Sequence, residues 1–252
     1  IWNINGVRKA VILLGLVGLW QGYTVGSDVE PLMFPSFVFS LKTLITDLFQ
    51  GDLIWKVWFS IKVLIYGYGA GMAIAAVLVL WGTSSRLGGD FIAMATAMFN
   101  PLPSIAMLPL AMLWFGLGTS SLVFVLVHAV LWAVALNTHS GFKNVSTTLR
   151  MIGENYGLKG VPFVVKILVP AALPSITAGL AIGMGVSWFS LLAGEIISGQ
   201  YGIGYFTWNA YSLINYPDIV VGMLMIGGLG TLSTYAVRLA TRPLLSWQRR
   251  SR

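Results

Sequence analysis

Residues 143–166 read KNVSTTLRMIGENYGLKGVPFVVK, a polar island between two long apolar blocks. Before it, Phe91 to Phe142 is a run of 52 residues without one Asp, Glu, Lys or Arg; after it, Ile167 to Gly194 adds 28 more. The island holds four basic residues, Lys143, Arg150, Lys159 and Lys166, and one acid, Glu154. A basic segment dividing two membrane-length stretches belongs on the cytoplasmic side. It is also long enough to fold there and meet a soluble partner.

Working outward, the whole chain has the same character. Hydrophobic residues make up 57% of it and charged ones 9%, against about 25% charged in a soluble domain. So few charges do not cover a water-facing surface, so the main solvent is lipid. The net charge of +7 is no nucleic-acid footprint, because the Lys and Arg residues sit at the ends of apolar runs and not on one face. The absence of Cys excludes disulfides, thiolate metal sites and cysteine nucleophiles. The sequence starts at Ile1, so an initiator and a basic N-terminal segment are expected ahead of it. The first apolar run lacks a small-residue cleavage site and reads as an ordinary span.

A helical crossing needs about 20 mostly apolar residues, and six such stretches are present. They run from about Lys9 to Val25, Trp55 to Trp81, Phe91 to Phe115, Ser120 to Asn137, Ala172 to Ile197 and Ile219 to Ala240. Lys56 and Lys62 start the second, where long side chains snorkel. Residues 116–119 turn the chain between the third and fourth. Six crossings put both termini on one side. With termini in the cytoplasm, 12 basic residues lie inside: Arg8, Lys9, Arg86, Lys143, Arg150, Lys159, Lys166, Arg238, Arg242, Arg249, Arg250 and Arg252. Only Lys42, Lys56 and Lys62 then face out, with the acids Asp28, Glu30, Asp47, Asp52 and Asp218. The positive-inside rule selects this orientation.

Two outer segments are more than loops. Pro35 to Phe49 spaces Phe37, Leu41, Leu44, Ile45 and Leu48 as one face of an interfacial amphipathic helix. Ser198 to Pro217 is rich in Gly, Tyr and Asn; it reads either as a re-entrant or cap segment over a cavity or as an interfacial aromatic loop. No domain boundary and no internal repeat interrupts residues 1–252, which form a single all-α membrane domain.

Catalytic chemistry is absent from the motifs. There is no phosphate loop and no dinucleotide fingerprint. His128 and His139 have no carboxylate in their block to complete a metal site. His128 lies mid-span, where a polar group marks function by default, although a buried, hydrogen-bonded histidine is the plainer reading. His139 sits at the inner end of the fourth span. The expectation is a non-enzymatic chain that binds no cofactor or metal of its own.

Within the island, Gly157 permits a helix break, and Pro170 and Pro174 are placed to restart the chain as the fifth span, since Pro is tolerated in a first turn. The expected product is a short helix, a turn, then a membrane helix: a knob able to pass force to a soluble domain. In the third span, Pro101, Pro103 and Pro109 break the backbone ladder. In lipid, broken helix is tolerated only against protein or a water-filled cavity, so Pro101, Pro103, Ser104, Met107 and Pro109 are candidates to line a pathway through the bundle. His128, Ser187, Trp188 and Glu195 join them as pathway candidates; Glu195 is the sole carboxylate between Glu154 and Asp218, placed to gate the outer mouth, to accept hydrogen bonds from the Ser198 to Gly204 backbone, or to snorkel. Trp188 precedes it by seven residues and shares its face. Gly179, Gly183 and Gly185 read as close-packing positions.

At the island the chain resembles the permease subunits of type I ABC importers. Their cytoplasmic signature is Glu-Ala-Ala, three residues, Gly, nine residues, then Ile-x-Leu-Pro. Here Gly157 and Pro170 fit that spacing, residues 151–153 (Met-Ile-Gly) stand in place of Glu-Ala-Ala, and Glu154 follows three residues late. Residues 101–110 with 114–118, residues 179–195 and residues 202–211 are similar to the nitrate, sulfonate, taurine and bicarbonate branch of these permeases; the likeness covers the chain from about Pro31 onward. The resemblance implies a permease with six transmembrane helices in the bacterial inner membrane, moving a small anion by alternating access. It implies a second permease copy, most simply an identical one. It also implies two ATPase subunits that carry ATP and Mg, and an extracytoplasmic substrate-binding protein. It assigns residues 143–166 to ATPase coupling, through Arg150, Met151, Gly153, Glu154, Gly157, Lys159 and Pro170. An aromatic carboxylate or a vitamin precursor is the alternative cargo. A stand-alone secondary transporter needs intramembrane acids beyond Glu195, and a channel or structural subunit leaves the ordered knob unexplained.

Overall fold

The computed structural model describes residues 4–27, 30 and 33–249, and among these it contains helices and no strand. Asp28, Arg250 and Arg252, assigned to sides above, lie outside the described residues. The chain divides into two compact units, residues 1–59 with 201–227 and residues 60–200 with 228–252.

The first unit begins with α1 (Ile4–Gly26) and α2 (Phe37–Phe49). The amphipathic stretch expected from Pro35 starts one residue after Ser36, whose side chain accepts from the Phe39 N–H and caps the helix. Gln21 of α1 accepts from the Val38 N–H at 3.1 Å, and Trp20 meets Phe37 edge-on at 5.6 Å, which ties the two helices together. The opening residues of α3 (Leu53–Ser84), the helix α10 (Ile203–Ser212) and the first half of α11 (Tyr216–Thr241) complete the unit. Leu53, Phe206 and Val221 form its small core, with Leu44 and Leu48 of α2 packed against them. Half of the aromatic segment 198–217 is therefore a ten-residue helix, flanked by turns.

The second unit is organised by α6 (Thr119–Lys143) and α9 (Val169–Ser198). They pack closely because small residues sit at their crossing points. A methyl group on Gly141 would fall 2.6 Å from Ser175 Cβ, one on Gly179 2.8 Å from Asn137 Cβ, and one on Gly194 2.7 Å from Leu122 Cδ2. Gly185, by contrast, has nothing near it. In lipid, where apolar surface gains nothing from leaving the solvent, such close backbone approach is what drives association.

Five described helices are long and apolar enough to cross a membrane: residues Gly6–Gly26, Leu53–Ser84, Thr119–Lys143, Gly160–Ser198 and Tyr216–Leu245. A sixth crossing is made in two pieces, α4 (Arg86–Phe99) and a second half that runs from a 3₁₀ turn (Ser104–Met107) into α5 (Leu108–Phe115), bent by 89°. It is a crossing and not a hairpin. The end of α3 that leads into Arg86 shares a cavity with Lys143 at the last residue of α6, while the Gly116 carbonyl, just beyond α5, accepts from Ser121 in the first turn of α6. Those two ends of α6 are about 37 Å apart at 1.5 Å per residue.

The prolines account for the break, though not equally. Pro101 cannot donate to a helix ladder and Pro103 biases Leu102 away from helical backbone. Pro109 instead sits in the first turn of α5, where its missing N–H removes no bond. The fifth span differs more from expectation. It does not restart at Pro170: the chain is helical from α8 (Gly160–Phe163), through a π-helical turn (Val164–Leu168), into α9. Pro170 lies ten residues into that rod, in the first turn of α9, and Pro174 lies inside α9. A proline ring collides with the carbonyl four residues back, and the wider π turn just upstream of Pro170 gives that carbonyl room.

Candidate functional site

The broken crossing opens a cavity of about 400 Å³ beside the middle of α6 and α9. Pro101, Pro103, Ser104 and His128 line it, as do Asn100, Trp132 and Asn137. No lining residue carries a carboxylate, an ammonium or a guanidinium. Three aromatic rings form one wall: Phe99 stacks on Trp132 at 5.2 Å and 11°, and His128 meets both edge-on, at 6.2 Å from Phe99 and 6.3 Å from Trp132. Both ring nitrogens of His128 and the Trp132 Nε1–H are buried without a hydrogen-bond partner. Trp132 is 8% exposed. Buried donors left unpaired are costly, and these stand on residues that line a cavity.

Ser104 fixes the geometry of the break. Its Oγ lies 2.6 Å from Ser190 Oγ, so the start of the second half is pinned to α9 by a hydroxyl pair in which either can donate. Asn137 is held by donation from Nδ2 to the Ala133 carbonyl at 2.7 Å.

The other pathway candidates from the sequence lie off this cavity. Met107 and Pro109 fall beyond the 3₁₀ turn's lining residues. Ser187 is fully buried and donates to Gly183 one turn back at 2.6 Å. Trp188 Nε1 donates to Ser233 Oγ of α11 at 2.6 Å, so it ties two spans. Glu195 is fully buried and accepts from Ser60 Oγ of α3 at 2.5 Å. Trp132, Asn100 and Asn137 were missed. Asn137 was findable as an amide near the end of an apolar block, and Trp132 by its position one turn from His128.

The island forms α7 (Thr147–Asn155), capped at its start by Ser146, which accepts from the Leu149 N–H. Arg150 folds back, donating from Nε to the Val145 carbonyl at 3.3 Å and from Nη2 to the Phe142 carbonyl. The basic side chain thus latches α7 to the last turn of α6. Gly153 is buried because a methyl group there would meet the Phe163 ring at 2.7 Å. The helix ends in a Schellman motif: the Leu158 N–H reaches the Gly153 carbonyl at 3.0 Å and the Gly157 N–H the Glu154 carbonyl at 2.8 Å. Gly157 supplies the φ of +69° that this turn demands. Outward from this frame stand Met151, Ile152 and Tyr156, the last 82% exposed, with Glu154 and Lys159 also exposed.

In the first unit, Asp47, Asp52, Lys56 and Asp218 line a smaller cavity of about 190 Å³. Lys56 pairs with Asp52 at 2.8 Å. Burial, and then the charge of Asp218, push the Asp47 carboxyl above its ordinary value. Among the described residues no group of His, Asp and Glu is arranged to hold a metal ion.

Comparison with known proteins agrees with this architecture. Residues 67–245 match the family described as binding-protein-dependent transport system inner membrane component. A putative aliphatic sulfonates transport permease protein, SsuC, of Escherichia coli is 29% identical over 234 residues, 93% of this chain and 89% of that one. A putative ABC transporter permease protein of Methanocaldococcus jannaschii is 31% identical over 200 residues, 79% and 75% of the two chains. The nitrate import permease protein NrtB of Synechocystis sp. is 28% identical over 244 residues, 92% and 86%. A helical chain with a broken third crossing, a capped polar knob and these relatives is a multi-pass transport permease, and it belongs to the family of binding-protein-dependent transport system inner membrane components.

Proposed function

We propose that this chain is the pathway-forming subunit of an ATP-driven importer of small anions, of the nitrate, bicarbonate, taurine or alkanesulfonate class. The observation that carries the reading is the cavity at the broken third crossing, lined by His128 and Trp132, whose ring N–H groups have no partner in the protein, and free of carboxylates. An oxyanion accepts from such donors, and no fixed negative charge repels it there. The names of the Escherichia coli and Synechocystis relatives, sulfonate and nitrate permeases, support the same class. The stacked Phe99 and Trp132 rings favour, as the second reading, a flat aromatic carboxylate.

In this scheme the termini are cytoplasmic, two copies of the chain enclose the path, and a binding protein delivers cargo from outside. ATP and Mg are bound on two separate ATPase subunits. Those subunits engage α7 through the exposed Met151, Ile152 and Tyr156 together with Glu154 and Lys159. With Met151 where the family signature has its acid, this contact is mainly apolar. Closure of the ATPase dimer moves α7, and the bundle alternates between inward and outward access.

The test is reconstitution with the cognate ATPase and binding protein in proteoliposomes. Uptake of a labelled anion that requires ATP and falls at least tenfold in Trp132→Phe, which keeps the ring and removes the donor, supports the reading. ATP-independent uptake by the chain alone overturns it. For coupling, Gly157→Val is expected to leave the protein inserted while hydrolysis no longer drives uptake, because Val resists positive φ; full coupled transport in that variant removes α7 from the role.

A further inference from the structure

A second cavity, of about 300 Å³, lies where α3 and α6 end and the island begins. Thr83 and Ser84 come from the last turn of α3, His139 and Lys143 from the last turn of α6, Arg150 from α7 and Phe163 from α8. His139 is 9% exposed, and both of its ring nitrogens are buried without a hydrogen-bond partner. Its ring therefore has a donor with nothing in the protein to receive it. Arg150 is held rigidly by its two backbone bonds, and Lys143 stands exposed at the rim. Among the described residues neither forms an ion pair. No acid lines the cavity. Residues bearing a guanidinium, an ammonium and an unpaired imidazole therefore line one space, between helix ends at the depth where the spans meet water.

We propose that this cavity is an oxyanion site. Its ligand accepts hydrogen bonds from His139, Lys143 and Arg150, and it is either the phosphate of an anionic phospholipid headgroup or a free inorganic oxyanion. Basic pockets between transmembrane helices at the membrane surface have the chemistry to hold lipid headgroups, and Phe142, Phe163 and Leu168 give acyl chains an apolar wall. A free tetrahedral oxyanion satisfies the same donors. In either case the ligand bridges α7 to the ends of α3 and α6, so occupancy stiffens the knob against the spans. The inference is independent of the mid-span cavity and of the nature of the cargo.

The experiment uses the full permease complex in nanodiscs. One arm compares phosphatidylcholine alone with phosphatidylcholine mixed with phosphatidylglycerol. The other adds sodium phosphate to phosphatidylcholine discs, with sodium chloride at equal ionic strength as control. Melting temperature is followed in the parent, His139→Gln and Lys143→Gln. At least one anion is expected to raise the parent's melting temperature by several degrees, as a ligand of the folded state must. In Lys143→Gln, which removes the ammonium, its apparent affinity is expected to fall about tenfold, the effect of losing one charge-assisted hydrogen bond, and in His139→Gln, whose amide donor sits off the imidazole N–H position, by about threefold. A response to phosphatidylglycerol alone assigns the lipid; a response to phosphate assigns the free ion. If His139→Gln does not fold, Lys143→Gln, a change at an exposed side chain, carries the test. The proposal is overturned if neither anion shifts the parent, or if the folded variants respond as the parent does.

Discussion

Glu195 and Ile214 are held in situations that ordinary residues avoid. Glu195 is fully buried with Ser60 Oγ donating to it. Glu195→Ala empties a fully buried site and takes an acceptor from the Ser60 hydroxyl, and is expected to cost about 2 kcal/mol; the drop is read as a lower melting temperature in detergent. Glu195→Gln keeps an oxygen for Ser60 and is expected to insert and melt near the parent. Undiminished uptake in the Gln variant takes the carboxylate charge out of the mechanism. Ile214 closes α10 with φ of 59°, and the Ile214 and Asn215 N–H groups return to the Tyr211 and Ala210 carbonyls at 3.1 and 2.9 Å. This is the same Schellman turn that Gly157 makes, built with a β-branched residue. Such a residue in left-handed backbone costs about 1–2 kcal/mol, so Ile214→Gly is expected to gain roughly 0.5–1 kcal/mol after its own chain entropy, seen as a raised melting temperature. Unchanged or lower stability shows that the Ile side chain, 71% exposed, finds compensation elsewhere.

At the scale of elements, the π turn upstream of Pro170 sets the rotation of α8 relative to α9. A five-residue π segment shifts the facing of everything before it by roughly one residue, about 100° at 3.6 residues per turn. Pro170→Ala restores an N–H and removes the ring clash, so the turn is expected to relax to α-helix. Phe163 then rotates off Gly153, and coupled transport is expected to fall several-fold while insertion is retained; uptake against hydrolysis in proteoliposomes checks it. The positions of the spans were legible in the sequence because lipid leaves only hydropathy and length to satisfy. The break in the third was legible because proline acts locally. The π turn was not, because whether a proline ends a helix or is absorbed depends on how Gly141 and Gly179 seat α9 on α6. The site was half legible for the same reason. His128 stands out in an apolar block, whereas Trp132 reads as core until its orphaned N–H is seen, and Ser60, which donates to Glu195, is 135 residues away in the chain.

Over the whole molecule, charge asymmetry makes the claim that bears on everything else, namely which side faces the cytoplasm. The chain has no Cys, so single cysteines report cleanly. Lys42→Cys on α2 is expected to react with an impermeant maleimide added to intact spheroplasts. Lys143→Cys at the end of α6 is expected to react only after lysis. The opposite pattern inverts the topology, and with it the assignment of α7 to an ATPase. The pairing of α6 with α9 also has a consequence in time. The ribosome finishes α6 at Lys143 about 55 residues before it finishes α9 at Ser198, roughly 3–10 s of synthesis. Throughout that interval the groove that will receive α9 is open, with Asn137 not yet covered by Gly179. The newborn chain must therefore be chaperoned in the bilayer, by lipid defects or by the insertion machinery, until its fifth span arrives.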